Sequence, residues 1–165
     1  MDTGGPGPDS ELDSAGVVVK PPLLYAGALA LGLVAQAMHP LLLIPRGSRL
    51  MRRLGGAALL GTGLAVAGWA KRTMGRAGTS VDVDTPTTAL VTAGPYRYSR
   101  NPIYLALSAL YLGVALLVNA RWPVLLFPAL LAVMQRGVVE REERYLARHF
   151  GQEYLAYRAR VRRWL

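Results

Sequence analysis

Uncharged stretches dominate the pattern of this chain. From Pro21 to Pro45 there is no charged residue across 25 positions, and a second such run covers the 17 positions from Leu54 to Ala70. A third takes the 20 positions from Asn101 to Ala120, and a fourth the 14 from Trp122 to Gln135. These runs are apolar all round, whereas a surface helix of a soluble protein keeps one polar face. A helix needs about 20 mostly apolar residues to cross a bilayer. The first and third runs meet that length, and the second is marginal. The fourth reaches only about 21 Å at a rise of about 1.5 Å per residue. It spans only if Arg136 snorkels or the helix continues to Val139. The pattern therefore predicts an all-α, integral membrane helical bundle of about four transmembrane helices. Residues 21–70 form its first helix pair.

Composition agrees with that reading. The chain has 165 residues, 52% of them hydrophobic and only 18% charged, with a mean hydropathy of +0.26. Soluble domains carry about 25% charge. Zero cysteines exclude a disulfide scaffold and a cysteine nucleophile. Two histidines, His39 and His149, cannot form a histidine-rich metal cluster, so no metal is expected. Residues 1–20 carry Asp2, Asp9, Glu11 and Asp13 among glycines and prolines. They read as a disordered tail rather than a signal peptide, which opens with basic residues.

The net charge of +9 changes meaning once it is placed along the chain. With four spans and both ends in the cytoplasm, 14 basic residues lie inside and 5 outside. The positive-inside rule favours this orientation, and the expected place is a bacterial inner membrane. Arg46, Arg49, Arg52 and Arg53 run against the rule, as a short cap on the helix pair would. The basic excess is juxtamembrane and suits anionic membrane lipids; nucleic-acid binding would need a basic face with base-reading groups.

Two non-membrane segments remain, in a region 71–165 that carries the chemistry. The loop from Lys71 to Arg100 is long for a connector. Its end contains the Gly94-Pro95 turn signal and Arg100-Asn101-Pro102, where Asn101 suits an N-cap and Pro102 a first helical turn. In the C-terminal segment, Leu146, Phe150, Tyr154, Tyr157 and Val161 repeat at helical spacing, with a break expected near Gly151. Such a basic amphipathic segment can lie on a bilayer surface; here it is expected to form a cytoplasmic amphipathic helical cap on the bundle. Glu140, Glu142 and Glu143 sit just after the fourth run, where ionisable groups are costly and tend to mark sites. Glu140 suits an exposed pair with Arg144. Glu142 and Glu143 point about 100° apart on a helix, so one of them can face the loop.

Taken together, TAGPYRYSRNPIY and, about forty residues later, EREERYLARHFGQEYLAYRARV resemble the isoprenylcysteine carboxyl methyltransferase family. That family belongs to a wider group with the phospholipid methyltransferases. The likeness covers residues 86 to 164. It implies an integral membrane enzyme using S-adenosylmethionine, with S-adenosylhomocysteine as product and the cofactor on the cytoplasmic side. By position it implies that Thr88, Ala89, Leu90 and Val91 form a strand-like cofactor segment. Tyr96 then follows the glycine turn, and Asn101, Pro102, Ile103 and Tyr104 make helix-start contacts. Glu142 is implied as the acidic cofactor contact, with Glu143 beside it. Arg100 is a candidate for the cofactor carboxylate or for a lipid phosphate. Where some members carry a substrate-holding arginine this chain has Val138, flanked by Arg136 and Arg141.

These residue types fit methyl transfer. The methyl group of a sulfonium is already activated, so the protein's work is chiefly alignment, which can supply about 7–11 kcal/mol. The resemblance implies a lipophilic or membrane-embedded small acceptor. A phospholipid amine or a small thiol is the alternative within the same fold, and a non-enzymatic small membrane protein the alternative outside it. The glycines and alanines from Gly55 to Gly68 read as close helix packing. His39 reads as a packed or capping histidine. Trp69, Trp122 and Trp164 read as interfacial anchors.

Overall fold

The computed structural model describes residues 20–44, 48–79 and 88–165. The N-terminal tail expected over residues 1–20, except Lys20, and Arg46 lie outside them. Five helices follow one another: α1 (Pro21–Met38), α2 (Arg49–Arg76), α3 (Pro102–Leu117), α4 (Arg121–Met134) and α5 (Glu140–Arg160). A short 3₁₀ turn, Gly94–Arg97, precedes α3, and a π-helical turn, Gln135–Val139, joins α4 to α5. Among the described residues there is no strand, only an isolated bridge between Leu42 and Ala120. The all-α membrane bundle read from the hydrophobic runs is the architecture observed.

Two helices are long and apolar enough to cross a bilayer on their own: α1, and the continuous run from Arg121 to Arg160. The fourth run thus gains its length by continuing through the π turn. The apolar helix α3 is shorter, at 16 residues. Outward-facing Leu23, Leu31, Val34, Leu64 and Leu125 are each more than half exposed. In water so much exposed apolar surface would demand a partner, whereas lipid satisfies it.

Packing does not follow chain order: α1 packs chiefly on α4, and α2 on α3. Small residues decide this. Gly56 and Gly63, seven apart on α2, face Gly113 and Ala106, seven apart on α3. A Cβ on Gly56 would come 2.7 Å from Leu117, and one on Gly63 2.8 Å from Leu110 and 2.9 Å from the Ala106 carbonyl. Backbones approach this closely only where side chains are absent. Gly61 and Gly68 meet nothing, so the glycine pattern serves one face only. On the other seam, Gly32 of α1 lies against Pro123 of α4.

One end of the bundle is closed by polar ties. Arg52 donates to the carbonyls of Leu116 and Leu117, capping α3. One of the four arginines that oppose the positive-inside rule is therefore a helix cap. Asn119, at φ 60°, brackets the backbone of Ile44 in both directions, at 2.9 and 3.0 Å. Trp122 donates to the carbonyl of His39 (2.8 Å), and His39, exposed, is the C-cap of α1, its backbone N–H bonded to the Ala35 carbonyl. At the opposite end α2 runs on to Arg76, past the expected boundary at Ala70. Lys71 and Arg72 are good helix formers and suit a helix C-terminus.

Candidate functional site

The candidate residues meet where the 3₁₀ turn, the start of α3, the start of α5 and the C-terminal tail come together. Gly94 shapes the approach. It has φ +58°, and a Cβ there would lie 2.6 Å from the Thr73 hydroxyl and 3.1 Å from the Trp69 ring nitrogen. Only glycine lets the turn lie against the end of α2 at this backbone angle. Tyr96 is thereby buried, and its carbonyl accepts a hydrogen bond from the Tyr157 hydroxyl (2.8 Å). Pro102 opens α3 as expected. Asn101 occupies the N-cap position without capping: its amide donates to the carbonyl of Arg163 at 2.9 Å. The Ser99 hydroxyl accepts from the Asn101 backbone instead (3.1 Å).

Glu142 and Glu143 divide the cluster between them. The Tyr104 hydroxyl of α3 donates to Glu142 Oε1 at 2.5 Å. Burial pushes the Glu142 carboxyl up to about 7; the Tyr104 bond lowers it and the charge of Glu143 raises it. Glu143 faces the loop. Arg163 forks onto it, Nε to Oε1 at 2.9 Å and Nη2 to Oε2 at 2.7 Å, and Arg100 Nη2 adds a contact at 3.2 Å. Arg100 thus pairs with Glu143 and reaches the Tyr154 hydroxyl (3.4 Å), while its buried Nε has no hydrogen-bond partner among the described residues. Burial pushes the pKa of the Tyr96 and Tyr157 hydroxyls well above the ordinary range, the charge of Glu142 adding to the shift at Tyr96. Both phenols stay neutral at physiological pH. Further inside, Tyr25 of α1 shares a 2.8 Å bond with Ser108 and donates to the Tyr104 carbonyl (3.3 Å).

The structure brings together Tyr96, Arg100, Asn101, Pro102, Tyr104, Glu142 and Glu143. Ile103 packs on the apolar core beside Tyr104 and Tyr25. Thr88, Ala89, Leu90 and Val91 lie in an irregular segment, not a strand; Thr88 is tied back to Gly78 and Thr79. Glu140 accepts from Gln135 at 3.1 Å. Arg136 is exposed and Arg141 half-buried, while Val138 is fully buried in the apolar core.

The π turn explains why helical counting misplaces this region. Its extra residue shifts the phase of everything after it, so Val138 and Val139 are both buried and the glutamates turn toward α3 and the loop. Sequence reasoning missed Tyr25, Ser99 and Arg163. The hydroxyls of Tyr154 and Tyr157 were legible only as an apolar stripe, although a buried tyrosine needs a partner. Arg163 carries no local signal, because its partners lie 20 to more than 60 positions away.

One comparison bears on these residues. The family model described as phospholipid methyltransferase matches residues 51–153, well over half of the chain. The match begins in α2, far ahead of residue 86, and stops in α5 before the C-terminal tail. Neither a curated protein nor a solved structure matches the chain significantly.

Proposed function

Since this chain belongs to the phospholipid methyltransferase family, we propose that it is an S-adenosylmethionine-dependent membrane methyltransferase acting on a lipophilic or membrane-embedded acceptor. The observation that carries this reading is Glu142. It is a carboxylate at the edge of the apolar slab, aligned by the Tyr104 hydroxyl and raised in pKa by burial. A half-buried, partly desolvated carboxylate of this kind gains from a cationic ligand group. The cofactor's amino group is such a group. When bound, S-adenosylmethionine supplies a methyl group already activated by its sulfonium.

The chain's own residues do the rest. Glu142 holds the ammonium, and Tyr104 fixes which carboxylate oxygen is left for it. In this reading the backbone from Ala89 to Val91 bonds the adenine edge, and Tyr96 supplies an aromatic wall. Asn101 and Pro102 set the start of α3, and thus the position of Tyr104. The site faces the cytoplasm, and the acceptor arrives sideways through the bilayer. With buried Val138 offering no cation to a carboxylate, and with the family's description, an amine-bearing phospholipid headgroup is the favoured acceptor. Arg136 and Arg141, near the headgroup level after the fourth run, are placed to hold its phosphate.

Calorimetric titration of S-adenosylhomocysteine into the detergent-purified protein tests the reading. Micromolar binding in the wild type, lost in Glu142→Gln, is the expected result. A folded wild type that gives no heat overturns it. Labelled methyl transfer to vesicles of phosphatidylethanolamine, set beside a prenylated cysteine thiol ether, then separates the acceptors.

A further inference from the structure

The C-terminal tail after α5 is more ordered than its sequence requires. Termini are usually loose unless tied down, yet these five residues are bound at several points. The helix stops at Arg160 and Val161 turns extended. The Arg100 amide then donates to the carbonyl of Arg162 (3.0 Å). The Ser99 hydroxyl and the Asn101 amide both donate to the carbonyl of Arg163, at 3.2 and 2.9 Å. Trp164 packs on the apolar core. The Arg163 guanidinium meanwhile fills both oxygens of Glu143, whose side chain is only 10% exposed. One residue thus fastens the tail, the loop before α3 and the first turn of α5.

We infer that Arg163 is a positioning residue for Glu142: by neutralising and anchoring Glu143 it fixes the first turn of α5 so that Glu142 is presented to the cofactor's amino group. This rests on the reading of Glu142 given above. The tail lies beyond the residues matched by the family model. Glu143 repels charge on its neighbour Glu142, and the hydrogen-bonded fork from Arg163 offsets that charge. Arg100 assists from the loop. The other groups facing Glu142 are Tyr104 from α3, Tyr96 from the 3₁₀ turn and, behind Tyr104, Tyr25 from α1.

The test measures S-adenosylhomocysteine affinity by calorimetry on the full chain, from about pH 6 to about pH 9. Wild type, Glu142→Gln, Arg163→Gln, Arg163→Lys and Glu143→Gln are compared, with circular dichroism and melting curves alongside. Wild-type affinity rises with pH about a midpoint near 7. In Arg163→Gln it falls roughly tenfold at neutral pH, and the midpoint moves up by at least about half a unit. Arg163→Lys keeps the midpoint and recovers part of the affinity. Glu143→Gln moves the midpoint down, which no purely structural loss would do. Should Arg163→Gln not fold, Arg163→Lys and Glu143→Gln still decide: a midpoint that stays or rises in Glu143→Gln overturns the inference. It is also overturned if Arg163→Gln melts lower but binds with the wild-type profile. If the wild type itself does not bind, the reading of Glu142 fails and this inference with it; if only Glu142→Gln loses binding, this inference alone fails.

Discussion

At the scale of single residues, the site is governed by how each carboxylate is compensated. Glu143 has two guanidinium partners and Glu142 has a phenol. A phenol hydrogen bond stabilises the ionised carboxyl less than an arginine does, so burial prevails at Glu142 and its pKa rises. The sign of the pH effect follows. An unfolded glutamate ionises near 4.5 and this one near 7 when folded. The group therefore costs stability progressively as pH rises through that window, and a cationic ligand removes the cost. Tyr104→Phe deletes a bond to the ionised form. The midpoint for S-adenosylhomocysteine binding is expected to move above the wild-type value near 7, with affinity at neutral pH falling several-fold, roughly threefold to tenfold. Calorimetry at a series of pH values checks it, and an unshifted midpoint would show that the Tyr104 bond does not act on Glu142.

At the scale of elements, backbone geometry matters more than charge. The α2–α3 seam closes over Gly56, Gly63 and Gly113. Gly63→Leu forces side-chain atoms into Leu110 and the Ala106 carbonyl, which costs about 1–3 kcal/mol in overpacking. Thermal unfolding in detergent is expected to show the loss, whereas Gly61→Leu, whose Cβ meets nothing, leaves the melting point nearly unchanged. Equal effects of the two would contradict the seam. The break expected near Gly151 is present, at φ 50° and ψ −124°. It redirects the second half of α5 so that Tyr154 and Tyr157 reach Arg100 and the Tyr96 carbonyl. The π turn acts in the same way one element earlier, by turning the glutamate pair.

At the scale of the whole molecule, two helix seams, α1 on α4 and α2 on α3, carry a polar cluster at one end and a set of caps at the other. The absence of native cysteines makes orientation measurable. Single cysteines at Thr92, on the site side, and at Val118, on the capped side, are both exposed. In intact cells an impermeant maleimide is expected to label Val118→Cys and spare Thr92→Cys. The reverse pattern would place the site outside and exclude a cytosolic cofactor supply.

The sequence by itself determined the membrane class, the helical content, the break at Gly151 and the helix start at Pro102. Each is written in run length, local backbone preference or short-range order, which a single segment expresses without its neighbours. Tertiary structure alone decided that α1 seeks α4 rather than α2, since glycine faces become seams only when a partner surface complements them. It also decided how the two glutamates divide their roles. Their side chains are chemically identical, and only the phase shift of the π turn and the return of Arg163 from the far end of the chain give one a permanent cation and leave the other for a ligand.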